Sequence, residues 1–155
     1  LETNYEVWQV FYELAQDVGH RLRKHEITAK AVQISVRDKD LGWYQWQMPL
    51  PYPSQSPYEI AQSGYALFRE HYWWPKPVRA LTIRGINPGR ESDPVQTDIF
   101  NDYAVRDKRR RLDDAVDELR QRYGNRIIYP ACLHGQLPIA QDRCETVPMP
   151  SPMYQ

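Results

Sequence analysis

The sequence predicts an α+β fold, a two-layer sandwich in which helices cover one face of a small antiparallel sheet. Two stretches, residues 7–22 and 60–68, repeat apolar residues at the three- and four-residue spacing of a helical stripe. Two others, residues 31–37 and 44–48, alternate apolar and polar residues with the period of a half-buried strand, and the turn-rich DKDLG separates them. At 155 residues the chain is long enough to bury a core without staples.

Taken in order, TNYE opens the first helix as a capping box, with Thr3 offering its hydroxyl to the free amides and Glu6 reaching back. Val7, Phe11, Leu14, Ala15, Val18 and Leu22 carry that helix to about Lys24. In AVQISVR, Val32, Ile34 and Val36 alternate with Gln33, Ser35 and Arg37. In WYQWQM, Tyr44, Trp46 and Met48 alternate with Gln45 and Gln47, so the two runs read as a hairpin. PLPYPSQ reads as a proline-rich loop. SPYE then opens a second helix, with Ser56 as N-cap, Pro57 in the first turn and Glu59 completing another capping box. Ile60, Ala61, Tyr65, Leu67 and Phe68 face inward, and the helix ends before Pro75.

PVRALTIRG, residues 77–85, supplies another strand that buries Leu81 and Ile83 and exposes Ala80, Thr82 and Arg84; GINPGR after it reads as a linker. RDKRRRLDDAVDELRQRYG is a third amphipathic helix with Leu112, Ala115, Val116 and Leu119 on one face and Gly124 as a left-handed cap. RIIYPACL reads as a short strand, and from Gly135 the chain is expected to be extended or disordered. Helix, hairpin, helix, strand is the order of a ferredoxin-like βαββαβ unit that lacks its first strand, with a C-terminal helix added.

Twenty basic residues balance twenty acidic ones, so any nucleic-acid affinity must come from local clustering rather than bulk charge. Cys132 and Cys144 are too few for a disulfide framework and fit a reducing compartment. No apolar run approaches a membrane span, and LETNYEV has neither an initiator Met nor a signal peptide, which reads as one piece of a larger protein.

Strand alternation places Gln33, Ser35, Arg37, Gln45, Gln47, Thr82 and Arg84 on the sheet face away from the helices, with no carboxylate among them. Such a face is either an ordinary solvated one or a surface for phosphate oxygens and base edges, which seek donors and reject carboxylates. Strict alternation puts Arg79 on the buried side, although it lies near the strand start, where it can swing out.

Other chemistry has less support. Asp38 and Asp40 form a DxD of the kind that holds metal ions at strand ends, but they lie in a hairpin turn that favours aspartate for its geometry. His134 follows Cys132 closely, yet no second pair follows at zinc spacing. His20, His25 and His71 connect to no nucleophile or carboxylate constellation, and no P-loop pattern occurs. The basic run RDKRRR opposes the helix dipole and is either solvated or aimed at phosphate or at an acidic surface.

The segments RLRKHEITAKAVQISVRDKDL, PVRALTIRGI, QTDIF and RRLDDAVDELRQRYGNRIIYPA, in that order, resemble the C-terminal little finger domain of bacterial Y-family (UmuC- or DinB-like) translesion DNA polymerases, across roughly residues 4–131. The resemblance implies a domain that lays its sheet in the major groove of primer–template duplex DNA, with Arg79 and Arg84 as phosphate contacts supported by Arg37. It also implies that QTDIF binds the bacterial sliding clamp, Ile99 and Phe100 entering an apolar pocket while Gln96 bonds at its rim. The other occupant of that role is the chain's own surface, with Ile99 and Phe100 packing back onto it.

On this reading residues 1–90 are the DNA-binding domain, 91–105 a linker with the clamp motif, 106–134 a helix and short strand, and 135–155 a tail. The partners implied are duplex DNA, the clamp, and the palm and fingers of the parent polymerase. The parent would supply the nucleotidyl transfer and its Mg; this piece would have no catalytic residue, metal or cofactor and would serve DNA repair in the bacterial cytoplasm, at the nucleoid. The alternatives are a clamp-binding adaptor from a catalytically inactive homologue, and a free-standing RNA binder. Against the second, the open face shows no aromatic pair for base stacking and the chain no RNP-like motif.

Overall fold

The computed structural model describes residues 1–90, 103–124, 127–128 and 130–133. Within them the elements run α1 (Asn4–Lys24), β1 (Ile27–Asp38), β2 (Trp43–Ser54), α2 (Pro57–His71), β3 (Val78–Arg90) and α3 (Tyr103–Tyr123), followed by a single 3₁₀ turn at Ala131–Leu133. The expected α+β sandwich is present. α1 and α2 pack on one face of a three-stranded antiparallel sheet of order β2-β1-β3, so the first strand of the hairpin is the central one.

The α1 capping box forms as read. Thr3 Oγ1 accepts from the Glu6 amide at 3.2 Å, and Glu6 Oε2 accepts from the amides of Glu2 and Thr3 at 2.8 and 3.4 Å. These bonds, the one from Glu2 first, hold the Glu6 carboxyl below its ordinary value. Val7, Phe11, Ala15 and Leu22 from α1 meet Ile60, Ala61, Leu67 and Phe68 from α2 over Val32, Ile34, Val36 and Ile83 of the sheet. Tyr44 and Trp46 lie stacked 5.8 Å apart on this helix-covered side, against Tyr72 and His71.

Both outer strands run further than turn chemistry predicts. PLPYPS belongs to β2 and GINPGR to β3, with pairing down to Ala29↔Ser54 and Ile27↔Arg90. Both lie beside β1 only, and a strand paired on one side tolerates proline wherever its amide would face away. The second capping box does not form: Ser56 makes no side-chain cap. Glu59 instead accepts from Tyr52 Oη at 3.1 Å and from Ser54 Oγ, because β2 brings both hydroxyls to the start of α2.

Leu1 and Val78 exchange both backbone bonds, at 2.6 and 2.9 Å, which adds one residue of antiparallel pairing to the outer side of β3. This is the edge of β3 that β1 leaves open.

α3 corrects an expectation. Leu112 and Leu119 are 61% and 40% exposed, and Ala115 is exposed, so the apolar stripe does not face the domain. Its charged side does. Arg23 of α1 donates to Asp117 at 2.7 Å with Asp113 4.0 Å away, and Arg120 donates to Gln16 at 3.2 Å. α1 and α2 have already spent their apolar faces on the sheet, and what remains for α3 is polar. RIIYPACL is likewise no strand in its described part; it ends in the 3₁₀ turn, whose Cys132 carbonyl accepts from the buried Gln9. Gly124 ends α3 with φ +96° and donates to the Arg120 carbonyl, as expected of a cap.

Candidate nucleic-acid interface

The uncovered sheet face is built by register. Cross-strand partners point to the same side, so β2, β1 and β3 place Gln47, Gln33 and Arg84 in one row, Gln45, Ser35 and Thr82 in the next, and Trp43, Arg37 and Ala80 in the third. Seven of the eight residues expected to meet DNA are thus gathered on one surface. Gln45, Gln47, Arg37, Thr82 and Arg84 are exposed and Gln33 is half-buried. Ser35 departs from expectation: it is buried at the centre of the sheet, with its hydroxyl donating to Gln45 Oε1 at 3.4 Å, so it positions Gln45. Gln33 Nε2 donates to Gln47 Oε1 at 3.3 Å in the same way. These bonds engage the amide oxygens of Gln45 and Gln47 and leave their nitrogens as donors.

The eighth residue, Arg79, is released from strict alternation by a bulge. Arg37 pairs with Ala80 but Asp38 with Val78, so Arg79 has no partner across the ladder and is exposed. The single sequence gave no sign of that extra residue, because register depends on both strands.

Among the described residues Arg37, Arg79 and Arg84 hold no ion pair, whereas Arg21, Arg23, Arg106, Arg109, Arg111 and Arg122 each face a carboxylate. Strands β1–β3 contain a single carboxylate, Asp38. It is buried and turned into the hairpin, where its Oδ1 accepts from the amides of Asp40 and Gly42 at 2.9 and 2.8 Å. The DxD is therefore turn architecture. Asp40 pairs with Lys76 at 2.8 Å; that bond lowers its carboxyl pKa and raises the lysine's.

Two residues of the basic run of α3 turn the other way, while Lys108, Arg110 and Arg111 are exposed. Arg106 lies 3.4 Å over the Tyr52 ring and donates to the Pro53 carbonyl, while Arg109 lies 4.4 Å over Tyr58 and 3.7 Å from Glu59. The acidic surface this run meets is the domain's own. Gln96, Ile99 and Phe100 lie outside the described residues.

One residue of the face was missed in the sequence. Trp43 stands opposite Arg37 and is 64% exposed, and two-residue alternation from Gln45 is the signal that finds it.

Comparison with known proteins matches residues 1–99 to the impB/mucB/samB family C-terminal domain. The chain is 36% identical over 124 residues to DNA polymerase IV of Acetivibrio thermocellus, covering 80% of this chain and 31% of that protein. It is 29% identical over 129 residues to DNA polymerase IV of Desulfatibacillum aliphaticivorans, and 31% over 128 residues to that of Moorella thermoacetica, with 81% of this chain covered in both and 31% and 30% of the relatives. The chain thus spans about a third of the length of these curated relatives. A match over most of the chain, on the residues that build this sheet and its two covering helices, places the protein in the impB/mucB/samB family as a Y-family polymerase C-terminal domain.

Proposed function

We propose that this chain is the duplex-gripping part of a translesion DNA polymerase, contributing position and hold rather than chemistry. The observation that carries this is the set of three arginines without ion pairs on and beside a sheet face that has no exposed carboxylate, in a chain whose other described arginines mostly face acids. Guanidinium groups bond phosphate oxygens through paired N–H donors, and the Gln45 and Gln47 amide nitrogens add neutral donors beside them. Nucleotidyl transfer, and the magnesium it uses, belong to the palm of the parent protein on this reading. Among the described residues no three carboxylate, histidine or cysteine side chains converge on a point where a metal ion could sit. The test is duplex affinity by fluorescence anisotropy for the chain and for the Arg37→Ala/Arg84→Ala variant. The variant binds more weakly by roughly tenfold or more at low salt; unchanged affinity overturns the reading.

Gln96, Ile99 and Phe100 would tether this grip to the sliding clamp, with the palm and fingers of the parent as the remaining partners. Support for the tether is the pattern itself, a glutamine followed by an aliphatic and an aromatic residue in a stretch without apolar periodicity. Capture of the chain on an immobilised bacterial clamp tests it. Capture that survives both Gln96→Ala and Phe100→Ala shows the assignment to be wrong.

A further inference from the structure

We propose that Trp43 and Arg37 form a subsite for an unpaired nucleobase at the hairpin end of the sheet, so that the domain grips a junction of duplex and single strand rather than duplex alone. The proposal rests on the duplex-gripping reading above and adds a ligand to one corner of that face. Three other tryptophans of the chain, Trp8, Trp46 and Trp74, pack against neighbouring rings, and the fifth, Trp73, is 83% exposed but lies off the sheet, between α2 and β3. Trp43 is 64% exposed and has no ring neighbour among the described residues.

The frame beneath it is rigid. Trp43 pairs with Arg37 at the end of the ladder, the Asp38 amide donates to the Gly42 carbonyl at 3.0 Å, and the Asp38 carboxylate ties the turn from inside. An indole presented from such a frame loses little freedom when a flat partner lies on it. Its surroundings favour a nucleotide as that partner. Arg37 stands beside it without an ion pair, Gln45 follows on the same face, and the exposed carboxylate of the turn, Asp40, is neutralised by Lys76.

Within a duplex both faces of every internal base are covered by its neighbours, so an indole on a domain lying along the groove can stack only on an unpaired base. Stacking with a guanidinium near the attached phosphate is how single-strand binders hold a nucleotide without reading its identity. An apolar protein partner fits less well, because it would have to strip water from Arg37 and supply no acid in return.

The experiment compares the 155-residue chain and its variants on three probes: a blunt duplex, the same duplex with a short single-stranded overhang, and that overhang with abasic sites in place of its bases. The chain binds the overhang probe roughly tenfold more tightly than the blunt and abasic ones, a ratio within the range of one base stacked on one aromatic ring. Trp43→Ala loses that preference, its loss on the overhang probe exceeding its loss on the blunt one, and Trp43→Tyr restores most of it. The ring is exposed, so an unchanged melting temperature is expected for both variants; should Trp43→Ala unfold, Trp43→Gln takes its place.

A preference that survives Trp43→Ala overturns the proposal. So does an abasic overhang that binds as well as a normal one, or an equal loss on blunt and overhang probes. A chain that binds none of the three removes the duplex-gripping reading as well, whereas tight blunt binding with no preference removes only this inference.

Discussion

Gly19 sits where α1 meets the start of α2, and a methyl group there would lie 2.7 Å from the Gln55 carbonyl oxygen and 2.8 Å from the Pro57 ring. Neither can give way, since one is backbone and the other a ring closed on it. Alanine is favoured over glycine in a helix by about 1 kcal/mol, so a gain would follow from propensity alone. Overpacking opposes it at about 1–3 kcal/mol, and the close approach decides the sign. Gly19→Ala is therefore expected to destabilise the chain, measured as a lower urea midpoint with unchanged slope. Asp38 makes a second prediction of this kind. Asp38 is 1% exposed and its Oδ1 accepts from two turn amides, so Asp38→Ala leaves both donors without their acceptor and costs about 1–3 kcal/mol in the same measurement. Asp38→Asn keeps an acceptor oxygen and loses less.

At the scale of elements, α3 depends on charge, and Asp113 is its weak point. Burial, the largest influence, pushes the Asp113 carboxyl up to about 6 despite the Arg23 guanidinium 4.0 Å away. The geometry explains why: Arg23 is engaged by Asp117 at 2.7 Å, with His20 on the other Asp117 oxygen at 3.4 Å, and Arg109 is drawn toward Glu59. Between the ordinary carboxylate value of 3.8 and about 6 the folded state binds more protons at this site than the unfolded state, so its contribution falls as pH rises through that window. Stability of the chain minus that of Asp113→Asn should decline from pH 4 to pH 7 in thermal or urea unfolding; a flat difference refutes this reading of the contact. The same helix shows what a sequence does and does not disclose. Its amphipathicity and glycine cap were legible, because spacing and caps are local properties, while its start lies at Tyr103, ahead of the Arg106 expected. Which face would dock was not, because that depends on what α1 and α2 leave uncovered. The prolines of β2 and β3 misled in a similar way: they read as loop from local chemistry, and only the sheet order, with both strands at its sides, permits them. The open face itself was legible residue by residue from alternation, apart from the burial of Ser35, the bulge at Arg79 and the ring of Trp43.

For the whole molecule the balance of charge conceals a separation. Residues 1–90 carry eleven Lys and Arg against nine Asp and Glu, a net +2, and the rest of the chain carries the compensating −2. Among the described residues the apolar core is built mainly from α1, α2 and the three strands, with none from α3. The groups that α3 and the 3₁₀ turn cover on α1 are Gln9, Gln16 and Arg23, all of which water can solvate in their absence. A chain ending at Arg90 is therefore expected to unfold cooperatively and to keep the register of its sheet. It also separates the two places where basic residues could hold phosphate. If Arg37, Arg79 and Arg84 make the contacts, the shortened chain binds duplex at least as tightly as the full one, since it has lost net negative charge. Each phosphate contact releases counterions with a salt slope of about −0.9, so three contacts give a logarithmic slope near −3 in both chains, and Arg84→Ala reduces it by about 1. Loss of binding on shortening, with the fold intact by circular dichroism, would instead assign the grip to the RDKRRR run, whose Lys108, Arg110 and Arg111 are exposed while Arg106 and Arg109 face Glu59 and the Tyr52 and Tyr58 rings.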